Sequence, residues 1–183
     1  MEDIKMKTVV LVFHPNYQTS KVNRTLANGL SSDITVRNMY DLYPDFKIDV
    51  ATEHQVLEAA DRIVLQFPMY WYSSPALLKQ WEDTVLEYGW AYGSNGDALH
   101  GKELVIAVSP GVDSYGHDGD VKYSVHELLR PFQATSRLIS TKFIKPFITL
   151  GASSISDEAL QTQTKKYNEY LHKDQLPILG DFE

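Results

Sequence analysis

Cysteine is absent from the 183 residues. That absence removes disulfide scaffolds, zinc–thiolate sites, iron–sulfur clusters and a cysteine nucleophile together, so any redox chemistry here needs a bound cofactor. Basic residues are outnumbered, 17 against 24 acidic ones for a net charge of −7, and no dense Lys/Arg run relieves the balance. A phosphate backbone needs the opposite field, so nucleic acid is not an expected partner. Long hydrophobic runs are also missing. In MEDIKMKTVVLVFHP the apolar stretch before His14 and Pro15 is five residues, too short for a signal h-region or a spanning helix, and the expected location is cytoplasmic. The histidines (His14, His54, His100, His117, His126, His172) show no HExxH or HxH spacing, so no metal site is expected. GxGxxG and GxSxG are absent. Gly96 to Lys102 (GDALHGK) misses the phosphate-binding P-loop, because Glu103 stands where Ser/Thr is required and the segment precedes a strand pattern.

What is present is ordinary globular material, 43% hydrophobic and 22% charged. The length predicts one domain, 1–183, and a chain of this size buries roughly 70% of its unfolded surface without staples. Val9 to Phe13 form a continuous β-branched and aromatic run, the pattern of a strand covered on both faces. Residues 61–67 (DRIVLQF) and 103–109 (ELVIAVS) repeat it, while 33–39 (DITVRNM) suit a more exposed strand. KFIKPFITLGA, from Lys142, supplies a last strand that Pro146 makes irregular or an edge.

Helical spacing separates these runs. Val22, Leu26, Ala27 and Leu30 follow the cap candidate Ser20. Ser74-Pro75 predicts a helix start with proline in the first position, after which Leu77, Leu78, Trp81, Val85 and Tyr88 line one face. A helix is expected over Val121 to about Ile139, adjusted near Pro131. Another runs from the cap Ser156 to about His172, with Leu160, Thr164, Tyr167 and Leu171 inward. Alternation of this kind predicts an α/β, doubly wound, five-stranded parallel sheet with helices on both faces. Ligands of such sheets bind beyond the carboxyl ends of the strands, so the loops after residues 13, 67 and 109 matter most.

Each loop admits two readings. In HPNYQTSKVN (His14–Asn23) the hydroxyls of Thr19 and Ser20 with free N–H groups suit a phosphate monoester, or they only cap a helix. In FPMYWYSSP (Phe67–Pro75) the aromatic cluster suits a flat conjugated ring stacked at a strand end, or it fills the core or a dimer interface. SPGVDSYGHDG (Ser109–Gly119) offers glycines for close backbone approach and Tyr115 and His117 as proton donors, or it is a solvated surface loop.

FPMYWYSSPALLKQWEDTVLEYGWAYG (Phe67–Gly93) closely resembles the signature of the flavodoxin-like NAD(P)H:quinone oxidoreductase family, which includes the general stress protein 14 type and the potassium-efflux ancillary oxidoreductases. HPNYQTSKVN resembles that family's phosphate loop, and ELLRPFQAT (Glu127–Thr135) a segment common in its bacterial members. The resemblance implies a flavodoxin-like fold and a flavin held by His14, Ser20, Val22 and Asn23 around phosphate and ribityl chain. It implies Pro68, Met69, Tyr70, Trp71 and Tyr72 around the ring, with Ser109 and Gly111 at the fourth strand end. There this chain has Ser109-Pro110-Gly111-Val112 where relatives usually carry Thr-Thr-Gly-Gly. Tyr115 and His117 match the family's catalytic pair, Tyr115 being favoured. FMN is the expected flavin and FAD the alternative, with NADH or NADPH as donor and a quinone or similar aromatic acceptor reduced by ping-pong hydride transfer. Relatives imply a homodimer, and the potassium-efflux members imply a rival role as an ancillary subunit docked on a membrane transporter.

Overall fold

In the computed structural model the described residues are Met6–Asp181; the expected domain span 1–183 runs past them at both ends, onto residues that lie outside the description. Strands β1 (Thr8–Val12), β2 (Thr35–Asn38), β3 (Arg62–Pro68) and β4 (Glu103–Ser109) form a parallel sheet in the order β2-β1-β3-β4. The fifth position holds two short pieces, β5 (Lys142–Phe143) and β6 (Phe147–Ile148), both parallel to β4. Pro146 lies in the gap, where a missing N–H would otherwise break the ladder. Strand order reverses direction at β1, which has β2 on one side and β3 on the other, so a crevice opens beyond the carboxyl ends of β1 and β3.

The continuous apolar strands are explained by two cores. Val9, Leu11 and Phe13 point to one face, with Ile63, Leu65, Leu77, Trp81 and Leu129; Val10 and Val12 point to the other, with Val64, Leu26, Leu160 and Tyr167. Helices α1 (Val22–Asn28) and α7 (Asp157–Leu171) cover the second face. The first is covered by α4 (Ala76–Val85), α5 (Val125–Leu128) and α6 (Arg130–Leu138), with α2 (Met39–Leu42) and α3 (Val50–Ala59) also contributing. Ser156 caps α7 by accepting from Ala159 N, and Leu160, Thr164, Tyr167 and Leu171 are buried as their spacing predicts.

Several expectations need correction. Pro75 is the cap of α4 rather than its first residue, because its ψ of 151° is extended. Tyr88 lies past the helix end and is 70% exposed, so it is not on the buried face. The helix expected over 121–139 starts only at Ser124, where a capping box with Glu127 fixes the entry, and it divides at Leu129 ahead of Pro131. Helix α3 had no prediction. Its buried residues are Leu57 and, at an inward position, the charged Glu53, so the apolar period that marks an amphipathic helix is missing.

Candidate functional site

The loops at the carboxyl ends of the strands are tied to one another by specific contacts. His14 and Tyr70 rings meet edge-on at 6.4 Å, joining the first loop to the second. Asn23 Nδ2 donates to Ser109 Oγ at 2.8 Å, joining the first to the third. Met69 N donates to Ser109 O at 3.1 Å, and Tyr72 lies near enough to Tyr115 to act on its ionisation, joining second to third. A fourth loop, 149–155, was not anticipated. Its Ala152 and Ser153 N–H groups donate to Pro110 O and Gly111 O, and Lys21 Nζ reaches back to Ile155 O and Asp157 at 2.8 Å each. Its sequence signal is the small-residue run Gly151-Ala152-Ser153-Ser154, separated by two residues from the last strand. The approach is close enough that a Cβ on Gly111 would sit 3.0 Å from Ser153 Oγ.

The second loop has unusual backbone. Trp71 (φ 48°) and Tyr72 (φ 62°) are consecutive left-handed residues without glycine, and Tyr70 and Ser73 exchange both backbone hydrogen bonds at 3.0 Å. This is a two-residue hairpin turn of the primed type, which sequence normally fills with Asn-Gly. Such strain concentrates where structure serves a ligand. The turn presents Trp71 at 93% exposure and Tyr72 at 52%, so of the two readings of this loop, packing in the core does not hold for these rings. Pro68 is buried at the strand end, while Met69 is half-buried and packs on the core.

The donor chemistry of the floor is specific. Burial pulls the His14 imidazole below its ordinary value, favouring the neutral ring, and its Nδ1 accepts from Asn16 N at 3.1 Å; the proton therefore resides on Nε2, free to be donated. Ser20 Oγ accepts from Asn23 N at 3.1 Å, which leaves the serine proton uncommitted; the cap of α1 is Lys21 and not Ser20, one residue later than expected. Val22, Asn23 and Ser109 are buried, and Asn23 Nδ2 is turned to Ser109. Gln66, which no motif singled out, donates to Asn23 O at 2.8 Å from a fully buried position. A polar residue inside an otherwise apolar strand run was the available signal. A mononucleotide flavin matches this set: neutral donors for a phosphate monoester and hydroxylated chain, and exposed aromatic faces for a ring.

The catalytic candidates separate. Tyr115 is half-buried and packs on the core; burial, then the neighbouring Tyr72, pushes its hydroxyl up, so it holds its proton at neutral pH. His117 is 74% exposed in its side chain, and its hydrogen bonds stay with Glu127, 3.0 Å away. That hydrogen bond raises the His117 pKa, while the Ser124 backbone N–H and then His117 hold Glu127 down to about 2.

Beside the aromatic turn, a cavity of about 480 Å³ runs between α4 and α6, lined among others by Ser74, Glu82, Leu86, Phe132 and Leu138; it is separate from the strand-end floor. Burial pushes the Glu82 carboxyl up to about 7, against the pull of Lys79. A carboxyl whose folded pKa exceeds its unfolded value stabilises the fold below that unfolded value, and the contribution is lost as pH rises towards 7. Glu82→Gln should therefore gain on the order of 2 kcal/mol over wild type at pH 8, after discounting for partial solvent access, and little at pH 4.5. Urea unfolding of both proteins at the two pH values checks this; an equal offset at both would contradict it.

The family model for the flavodoxin-like fold, Flavodoxin_2, matches residues 6–171. General stress protein 14 of Bacillus subtilis (strain 168) is 51% identical over 172 residues, covering 92% of this chain and 98% of that protein. The NAD(P)H oxidoreductase YrkL of the same organism, itself uncharacterized, is 49% identical, with 91% and 98% covered. The glutathione-regulated potassium-efflux ancillary protein KefF of Klebsiella aerogenes is 40% identical, with 89% and 93% covered. Among solved structures, general stress protein 14 of Treponema denticola in complex with FMN superposes with a TM-score of 0.82 at 40% identity, covering 90% and 95%. An NADPH-quinone reductase from P. pentosaceus gives 0.83 at 31%, covering 93% and 99%. A chain described as a thermophilic tryptophan halogenase from Streptomycin violaceusniger gives 0.90 at 48%, covering 92% and 100%.

Proposed function

This chain belongs to the Flavodoxin_2 family, and from that premise we propose that it is a single-domain FMN-dependent NAD(P)H:quinone oxidoreductase. The observation that carries the reading is the left-handed aromatic turn at Trp71 and Tyr72, set beside a floor of neutral donors from His14, Ser20 and Ser109. Relatives described as NAD(P)H oxidoreductase and NADPH-quinone reductase, and one structure containing FMN, support it.

FMN when bound supplies two-electron transfer between a nicotinamide and an aromatic acceptor. The chain's residues do the remainder. Ser20 and His14 Nε2 would donate to the phosphate end, with the buried Val22 lining the same loop. Pro68, Met69, Tyr70, Trp71 and Tyr72 would hold the ring. Gly111 allows the backbone close to the ring edge. Tyr115 would hold its proton against developing negative charge, and His117, whose pKa the Glu127 hydrogen bond raises, would stand as a second proton holder. One terminal phosphate seat favours FMN over FAD. NADH or NADPH and the quinone occupy the same face in turn, which gives parallel initial-rate plots. The exposed Tyr88 suits burial in a homodimer.

A second reading rests on the KefF relative, an ancillary protein of a potassium-efflux system: docking on a transporter in the cytoplasm, in which the flavin site regulates. Among the described residues no helix is long and apolar enough to cross a membrane, so this role would be peripheral.

The experiment is to add FMN and FAD separately to purified protein, remove the excess, record the visible spectrum, identify the retained flavin by mass, and follow anaerobic bleaching by NADH and NADPH before adding a quinone. A yellow protein that retains FMN and is reoxidised by quinone is expected. A protein that stays colourless would remove the enzyme reading. Tryptophan and chloride added to the reduced protein under oxygen test the halogenase relative; no chlorinated product is expected.

A further inference from the structure

Buried polar residues form a chain from α7 to the strand-end loops. Tyr167, on α7, is fully buried, and its hydroxyl lies 3.2 Å from Gln66 Oε1. Gln66 Nε2 lies 2.8 Å from Asn23 O and 3.3 Å from Asn23 Oδ1. Asn23 Nδ2 lies 2.8 Å from Ser109 Oγ, and Asn23 N lies 3.1 Å from Ser20 Oγ.

The direction of every bond in this chain is forced. A backbone carbonyl oxygen only accepts, so Gln66 must turn its NH₂ group towards Asn23. Its Oε1 is then left facing Tyr167, whose hydroxyl donates. Asn23 Oδ1 faces the Gln66 NH₂, which leaves Nδ2 to donate to Ser109. The Asn23 backbone N–H only donates, so Ser20 accepts. Both serine oxygens are therefore acceptors on their buried side, and each keeps its own proton for another partner. Among the described residues neither hydroxyl proton meets an acceptor, although Ser20 is 7% and Ser109 3% exposed. Buried hydroxyls that cannot donate are costly, and these two, each bonded to Asn23, call for a ligand rich in acceptor oxygens.

We propose that Tyr167 and Gln66 are positioning residues: acting through the Asn23 side chain, they hold the Ser109 hydroxyl as a proton donor towards the cofactor. Ser20 is met by the Asn23 backbone N–H, which rotation of the side chain leaves in place, so the relay ends at Ser109. The inference rests on the reading of the site as a flavin seat. Without the Tyr167 hydroxyl the Gln66 amide loses the partner that stabilises its orientation, Asn23 is released to rotate, and its Oδ1 competes for the Ser109 proton.

The test is a double-mutant cycle on FMN dissociation constants measured by fluorescence quenching. Tyr167→Phe is expected to weaken FMN binding about five- to tenfold, the equivalent of one neutral hydrogen bond. In a Ser109→Ala background the same change should alter binding less than twofold, because the hydroxyl it orients is gone. A merely structural role of Tyr167 predicts the same loss in both backgrounds, and that result would overturn the proposal, as would unchanged affinity in Tyr167→Phe. If Tyr167→Phe does not fold, Gln66→Met poses the same question with the same two expectations. The apoprotein gives an independent readout: the Gln66 side-chain amide protons should exchange slowly with solvent, and faster in Tyr167→Phe. Wild type that does not retain FMN, with this exchange pattern intact, sinks the flavin reading while the network stands; FMN retained with no acceleration in the variant sinks the network.

Discussion

Replacing Arg62 with alanine is expected to cost about 3–5 kcal/mol of folding stability, the range seen when one member of a buried charge pair is removed. The guanidinium is fully buried at the start of β3. Its Nε donates to Glu103 at 2.6 Å, Nη1 to Leu171 O at 2.6 Å and Nη2 to Lys173 O at 2.9 Å. The first bond links β3 to β4, and the other two hold the carboxyl end of α7. Deletion leaves the Glu103 carboxylate, 13% exposed, with no cation, and strands two carbonyls. Replacing both partners, as in Arg62→Met with Glu103→Leu, should recover part of the loss, since the remaining chain then has no uncompensated charge there. Urea unfolding of the three variants measures it. A loss below about 1 kcal/mol for the alanine variant would mean that water reaches this site and that α7 is held by its apolar face alone. Because Tyr167 lies on the same helix, loosening its end should also weaken the buried chain to Ser109, so flavin retention is expected to fall with stability.

Arg62 also shows where sequence reading stops. The run DRIVLQF identifies a strand covered on both faces, and the structure agrees, with Arg62 to Pro68 all buried. The run marks its arginine and glutamine as polar residues in a covered strand but does not name their partners, which come from Glu103, Asn23 and the end of α7, remote in sequence. Glu53 repeats the lesson. It is fully buried, bonded to Arg37, to Tyr43 Oη at 2.6 Å and to Trp81 Nε1 at 3.0 Å. A charged residue at an inward position hid α3 from any search for apolar period. The strand-end loops were legible for a different reason: parallel strands fix where ligands bind, and the aromatic content of residues 67–72 shows through a single sequence. The turn's left-handed backbone was not legible, since neither Trp71 nor Tyr72 belongs to the residue types that favour it. The 149–155 loop was missed because a Pro-interrupted last strand gave no clear end from which to read a loop.

Exchanging that turn for the residues its backbone favours, Trp71→Asn with Tyr72→Gly, should move stability and cofactor binding in opposite directions. Left-handed backbone costs an ordinary side chain roughly 1–2 kcal/mol, and Asn-Gly fits the primed two-residue turn with little strain. The rings removed are 93% and 52% exposed, so little packing is lost, and a net gain of about 1–2 kcal/mol in urea unfolding of the apoprotein is expected. Flavin affinity should fall roughly 10- to 100-fold, which corresponds to about 1.4–2.7 kcal/mol of lost ring contact. Paired in this way, the two measurements separate the possible roles of the turn. A gain in stability with unchanged FMN binding would mean that the rings serve a surface contact, such as a second protomer, instead of the flavin. A loss in stability would mean that the aromatic pair is held in place by contacts worth more than its strain, and that the backbone is no sign of a ligand site. Only a more stable protein that has lost its grip on FMN agrees with rings kept in an unfavourable conformation for the sake of the cofactor.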